Sequence, residues 1–185
     1  DFFAIHPIET LEPEEDCLRF NKAYSRGKLQ VTGTPGALTV HIDWERIREM
    51  TFQVVDSLFA LANKYGVRVI FDLTAEAGDY LGGIGTYAAH RGKKRAEFYT
   101  DPQVKEDYKA TVRYVLTRTN TITGVPYRED KAILAWQFGN EMHGAPTPWL
   151  AEMAAYIKSL DANHLVSETR HVPGQPMVVD ANTDL

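Results

Sequence analysis

The chain has 185 residues, 44% of them hydrophobic and 24% charged, the proportions of an ordinary globular domain large enough to bury a core. A formal net charge of -5 without a basic cluster argues against a nucleic-acid partner, and no apolar run approaches the roughly 20 residues that span a bilayer. Cys17 is the single cysteine, so no internal disulfide can form. The chain opens at Asp1 without a charged-then-apolar leader, which implies that any signal peptide has been removed or was never present.

Residues 1–43 are broken by Pro7, Pro13, Gly27, Gly33, Pro35 and Gly36 and are expected to be mostly loop, with Cys17-Leu18-Arg19-Phe20 as a strand candidate. From Trp44 the pattern sharpens. Trp44, Ile47, Met50, Val54, Leu58, Leu61 and Tyr65 recur at helical spacing, Asp43 is placed to cap the helix and Gly66 to end it. The β-branched run Val67 to Leu73 predicts a strand, and the glycine-rich stretch Thr74–Thr100 predicts a long loop. Asp101 followed by Pro102 opens a second helix with Val104, Tyr108, Val112 and Val115 on one face. The apolar run Ala132 to Phe138 has the character of a strand covered on both faces, and it ends in Asn140-Glu141. A third helix starts at Thr147-Pro148, with Leu150, Met153, Ala154, Ile157 and Leu160 facing inward, and His164–Ser167 is a further short strand. This alternation predicts βα units around a parallel sheet, in one domain over residues 1–185.

Carboxylates fall at or near the ends of three predicted strands: Asp72, Glu141 and Glu168. In a parallel sheet those ends share one face, where α/β barrels place their chemistry. Glycoside cleavage normally needs two carboxyl groups, one to donate a proton and one to attack the sugar or activate water. Glu141 is the candidate acid, expected to be packed beside apolar strands that disfavour its charge, and Asn140 is a candidate donor to a sugar hydroxyl. Asp72 serves equally well as a salt-bridge partner or cap, and Glu168 as an exposed loop acid. Tyr80, Tyr87, Phe98, Tyr99, Tyr127 and Trp149 lie in or beside the loops that would rim a cleft, two or three of them at most touching ligand. Gly82-Gly83-Ile84-Gly85 does not join a strand directly to a helix, so it is no phosphate cradle. His143, His164 and His171 lack the spacing of a helical metal pair, so neither metal nor cofactor is expected.

Several pieces in fixed order resemble glycoside hydrolase family 5, and within it the endo-β-1,4-mannanase-like branch. They are Ala60 to Ile70, Asp79-Tyr80-Leu81-Gly82-Gly83-Ile84 with Tyr87, Phe98 to Pro102, Asn120 to Tyr127, Trp136 with Asn140-Glu141, and Tyr156 to Val166. The resemblance implies a (β/α)8 TIM barrel, expected to be incomplete here: such barrels have about 250 residues and seldom fewer than about 200. It implies a retaining hydrolase of β-1,4-linked polysaccharide, β-mannan above all, with Glu141 as acid/base and Asn140 on the sugar beside the cleaved bond. Tyr80, Tyr87, His143 and Arg19 become further substrate-site candidates, Arg19 as the arginine that supports the nucleophile. It implies a polysaccharide or oligosaccharide partner, no nucleic acid or membrane, and secretion to the extracellular or periplasmic space; oligomeric state is open. Met142-His143 stands where mannanases usually have Pro-Arg. The family's nucleophile is a seventh-strand glutamate, beyond Leu185 in this register, so a non-catalytic carbohydrate-binding or structural relative is the rival reading.

Overall fold

A computed structural model describes residues 29–34, 37–42, 44–76, 83–170 and 182–184, with side chains from Arg48 onward. They fall into two compact units, one ending at Val55 and the other beginning at Asp56. The first holds strands β1 (Leu29–Thr34) and β2 (Ala37–Ile42), paired antiparallel with Val31 opposite Val40. That hairpin corrects the expectation of loop over residues 1–43. Each strand carries several β-branched residues, and Pro35-Gly36 between them is a turn-favouring pair. The Cys17–Phe20 strand candidate and the Asp43 cap lie outside the described residues.

Helix α1 (Trp44–Tyr65) forms where the helical spacing places it, and Gly66 ends it at a φ of 69°, the left-handed conformation that costs glycine least. The residues that mark its spacing are not all on its buried face. Val54, Leu61 and Tyr65 are 71%, 51% and 68% exposed, whereas Phe59, Ala62 and Asp56 are buried. Phe59 decides this. Its ring meets Phe71 at 5.8 Å and Tyr127 at 4.8 Å, both edge-on, a geometry that adds to the area it buries.

The second unit is built on a parallel sheet in the order β3 (Val69–Asp72), β4 (Ile133–Gln137), β5 (Leu165–Ser167). Across β3 and β4, Ile70 pairs with Ala135, Phe71 with Trp136 and Asp72 with Gln137; across β4 and β5, Trp136 pairs with Val166 and Gln137 with Ser167. Because side chains alternate, Phe71, Trp136 and Val166 share one face of the sheet, and Ile70, Asp72, Ala135 and Gln137 share the other. Ile70 is 47% exposed, and the described strands make an open sheet rather than a closed barrel.

Between β3 and β4 the chain is more ordered than its glycines suggest. The predicted loop Thr74–Thr100 contains helix α2 (Ile84–His90) and a 3-10 turn at Arg95–Tyr99. Helix α3 (Pro102–Thr117) begins as expected: the Asp101 carboxylate accepts from the N–H groups of Gln103 at 2.9 Å and Val104 at 3.1 Å. Its buried face is Val104, Tyr108, Val112, Val115 and Leu116. Helix α4 (Thr147–Leu160) buries Trp149, Leu150, Met153, Ala154 and Ile157, while Leu160 is only half-buried.

The amino-terminal end of the sheet is fastened by two buried aspartates. The Asp56 carboxylate, fully buried, accepts from Arg118 Nη2 at 3.1 Å, Thr121 Oγ1 at 2.7 Å, Thr121 N–H at 3.1 Å and the Tyr127 hydroxyl. Burial alone would raise its pKa; these donors outweigh burial and hold it below the ordinary aspartate value. Asp161, which follows α4, accepts from the Trp136 indole N–H at 2.6 Å and sits 2.6 Å from His164 Nδ1. There too burial is outweighed by hydrogen bonds, from His164 and Trp136, and the carboxyl titrates low.

Candidate active site

At the opposite end, the carboxyl ends of β3, β4 and β5 bring their next residues together. Beyond β4 the chain continues as an extended ladder against the continuation of β3. Asn140 N–H donates to Thr74 O at 2.9 Å, and Glu76 N–H donates to Asn140 O at 2.9 Å. Gly139 makes this approach possible: a Cβ there would stand 2.8 Å from both the carbonyl oxygen and the Cγ2 of Thr74. Phe138 is held from two sides, its N–H donating to Ser167 O at 3.2 Å and its carbonyl accepting the Tyr108 hydroxyl at 2.8 Å.

The chain then turns sharply at Glu141. Its φ is 53°, and among the described residues it is the one non-glycine with positive φ. Such a conformation costs roughly 1–3 kcal/mol and persists where the surroundings over-determine it, commonly at functional sites. Its carbonyl accepts from His143 N–H at 2.6 Å, and Ala145 N–H donates to Met142 O at 3.1 Å, closing the turn. Met142 is buried beneath the turn, while Glu141 and His143 face outward and are exposed. The apolar packing expected around Glu141 is therefore not found. The turn lifts the side chain off the sheet, so the β4 neighbours that should have enclosed it lie below it.

Two side chains that sequence reasoning passed over hold this turn. The Glu76 carboxylate accepts from Gly144 N–H at 2.7 Å through Oε2. A Cβ on Gly144 would sit 2.7 Å from Glu76 Oε1, so a side chain there would displace that carboxylate. From the β5 side, the Thr169 hydroxyl accepts from Met142 N–H at 3.2 Å and donates to the Gly139 carbonyl. Position is the signal that could have found both: each lies within four residues of the end of a strand that flanks β4.

The remaining candidates are distributed less favourably. Asn140 is half-buried beside Glu141. Among the described residues Asp72 makes no ion pair and caps no helix; it accepts from the Gln137 amide on the next strand. Burial pushes its carboxyl up, and that hydrogen bond only partly opposes the shift. Glu168 is no exposed acid. It is 3% exposed and gripped by the Arg170 guanidinium, with Nε to Oε2 at 2.7 Å and Nη2 to Oε1 at 3.3 Å. Arg170 in turn reaches Thr147 Oγ1 at 3.2 Å.

The described part of the Gly82-Gly83 stretch lies at the same end of the sheet as Glu141: Ile84 N–H donates to Ala75 O at 3.0 Å, immediately after β3. Tyr87 does not direct its hydroxyl to a cleft. It donates to Thr111 Oγ1 on α3 at 2.8 Å, and its ring packs on Phe98 and Tyr108 at 5.6 and 6.2 Å. Phe98, Tyr99 and Trp149 are core rather than rim, with Trp149 5.3 Å from Tyr99, 5.2 Å from Tyr108 and 6.0 Å from Phe138. The Tyr99 hydroxyl is buried near Glu76 without a well-aligned hydrogen bond, and burial together with that negative charge pushes its phenol well above the ordinary value. Tyr127 is buried at the other end of the sheet, against Phe59 and Asp56. Tyr80 and Arg19 lie outside the described residues. His164 belongs to the buried Asp161 contact.

A parallel sheet with intervening helices, whose polar groups gather at the carboxyl ends of its strands, defines an α/β chain of the TIM-barrel type. Residues 41–175 match the model of the GH family 5 beta-mannosidase-like family, and the chain belongs to that family. Mannan endo-1,4-beta-mannosidase 1 of Oryza sativa subsp. japonica is 43% identical, over 64% of this chain and 30% of that protein. Mannan endo-1,4-beta-mannosidase 4 of Solanum lycopersicum is 41% identical, over 64% of this chain and 33% of that protein. Among solved structures, the endo-beta-1,4-mannanase from Thermotoga petrophila superposes with a TM-score of 0.62 at 34% identity, over 67% of this chain and 29% of that one. The glycoside hydrolase family 5 mannosidase from Rhizomucor miehei gives a TM-score of 0.64 at 28% identity, over 69% of this chain and 36% of that one. The chain spans about a third of the length of the curated relatives it matches.

Proposed function

We propose that this chain carries the acid/base half of a retaining endo-β-1,4-mannanase site, with Glu141 as the acid/base and Asn140 as the hydrogen-bonding neighbour of the sugar beside the cleaved bond. The observation that carries the reading is the Asn140-Glu141 pair at the carboxyl end of β4, its glutamate turned outward by a left-handed backbone. The mannan endo-1,4-beta-mannosidases among its relatives support β-mannan as the polymer. A Rhizomucor miehei relative, solved as a glutamate-to-alanine variant in complex with mannosyl-fructose, supports a mannosyl ligand.

In the proposed mechanism Glu141 first protonates the departing glycosidic oxygen, and then, as carboxylate, takes a proton from the water that releases the sugar. Retention needs a second carboxyl group about 5–5.5 Å away. We do not assign that role to Glu168, which is buried and held by Arg170 in a bidentate contact. The purified 185-residue chain is therefore expected to bind manno-oligosaccharides without appreciable hydrolysis of mannan or of cellulose derivatives. A polymeric substrate does not cross membranes, so the reading also places the protein outside the cytoplasm, in the extracellular or periplasmic space.

The test is turnover of mannan by the full reading frame that encodes these residues, compared with its Glu141→Gln variant. A loss of about 10²–10⁴-fold is expected, and a smaller loss on substrates whose leaving group needs little protonation. Unchanged turnover would remove Glu141 from the mechanism. Binding of mannan by the full reading frame with no turnover in the parent would favour the non-catalytic carbohydrate-binding reading instead.

A further inference from the structure

We propose that Glu76 and Thr169 are positioning residues that clamp the Glu141 turn from its two sides and hold the glutamate in its left-handed conformation. The proposal rests on the acid/base reading of Glu141 only for its consequence in catalysis; the clamp itself rests on hydrogen bonds. A left-handed non-glycine persists only where its neighbours leave no easier alternative. Here the backbone groups on either side of Glu141 are engaged in turn. Asn140 is tied by both its N–H and its carbonyl to the continuation of β3, through Thr74 and Glu76. The Gly139 carbonyl and the Met142 N–H, which bracket Asn140-Glu141, both meet the Thr169 hydroxyl. Gly144 N–H, which closes the turn, meets the Glu76 carboxylate at 2.7 Å.

Each clamp is itself held. Glu76 is fixed at three points: its N–H on Asn140 O, its carbonyl under the Arg95 guanidinium, and its carboxylate on Gly144. A hydrogen bond from N–H to a carboxylate is stronger than one to a neutral acceptor, which suits a residue that must resist relaxation of the turn. Thr169 directly follows Glu168, whose bidentate contact with Arg170 anchors that segment in turn. One hydroxyl can donate one hydrogen bond while accepting another, so Thr169 alone can span the turn from Gly139 to Met142. Valine at this position keeps the shape and loses both bonds.

The experiment is amide hydrogen exchange and NMR on the chain, with Thr169→Val and Glu76→Ala as truncating variants and Thr169→Ser and Glu76→Gln as conservative ones. Thr169→Val is expected to speed exchange at Met142 by at least about tenfold, and Glu76→Ala to do the same at Gly144. The Tm and the exchange of α3 and α4 should stay at parent values. Serine at 169 and glutamine at 76 keep an acceptor and should restore protection. Weakening of manno-oligosaccharide binding several-fold in both truncating variants, rescued by both conservative ones, would tie the clamp to the site. Unchanged exchange at Met142 and Gly144 overturns the proposal, as does a uniform rise across the sheet. Should a truncating variant fail to fold, the parent decides: Met142 and Gly144 amides that exchange as fast as unprotected ones overturn the clamp. Absence of sugar binding in the parent counts against the mannanase reading alone, since the exchange result stands without it.

Discussion

Glu141 combines two properties that pull in opposite directions, the chemical role proposed for it at the strand end and a backbone conformation that L-residues avoid. Replacing it separates them. Both Glu141→Ala and Glu141→Gly remove the carboxyl, but only glycine adopts a φ of 53° without the side-chain penalty. The glycine variant should therefore be more stable than the alanine variant by about 1 kcal/mol, measured by urea denaturation. Equal stabilities would mean that the turn relaxes freely and that Glu141 is not held. Gly139 presents the reverse case. Alanine there would bring its methyl to 2.8 Å from the Thr74 carbonyl oxygen, and an overpacking loss of about 1–3 kcal/mol is expected. The Asn-Glu pair itself was legible from the sequence, because an apolar run ending in polar residues marks a strand end. Its clamps were not. Glu76 sits in a stretch that composition assigns to loop, and Thr169 gains meaning only when parallel pairing sets β5 beside β4.

At the scale of elements, the amino-terminal fastenings and the helix faces carry the stability. Asp56 and Asp161 are both held below the ordinary aspartate value in the folded chain. Their contribution is present at neutral pH and is lost as the pH falls from about 4 through their lower folded values. Asp56→Asn strands the buried Arg118 guanidinium, and a loss of about 3–5 kcal/mol at pH 7 is expected. The gap between parent and variant should narrow in acid. Asp72 has the opposite sign: raised by burial, it favours unfolding while ionised, so Asp72→Asn should raise the Tm at neutral pH and lose that advantage in acid. Denaturation curves at several pH values read both effects. Helix α1 shows where periodicity stops informing. Its spacing fixed the helix, yet it has apolar residues on two sides, and contact with Phe71 and Tyr127 selected the side of Phe59. Phe59→Ala should cost about 3–5 kcal/mol, whereas Leu61→Gln, at a position 51% exposed, should stay within about 0.5 kcal/mol.

For the whole molecule, the division between the two ends of the sheet organises everything else. Aspartates at the entry end of the strands are buried in contacts with Arg118 and His164, while residues leaving the strands build the turn that presents Glu141. The alternation of helix and strand was readable because each β4 or β5 residue lies near its helix in sequence. The hairpin at residues 29–42 was obscured by glycine and proline, and the exposure of Ile70 depends on what else covers the sheet, which local pattern does not encode. An open sheet with Ile70 and Leu134 at 47% and 40% exposure should associate as concentration rises, which sedimentation would report. The central claim, that the carboxyl end of β4 is a mannan site, is tested most directly by an NMR titration of the labelled chain with mannohexaose. The account predicts saturable shifts centred on Asn140, Glu141 and Gly144, absent with cellohexaose at the same concentration. Saturable shifts centred instead on Asn120–Tyr127, at the opposite end of the sheet, or no saturable shift at all, would contradict it.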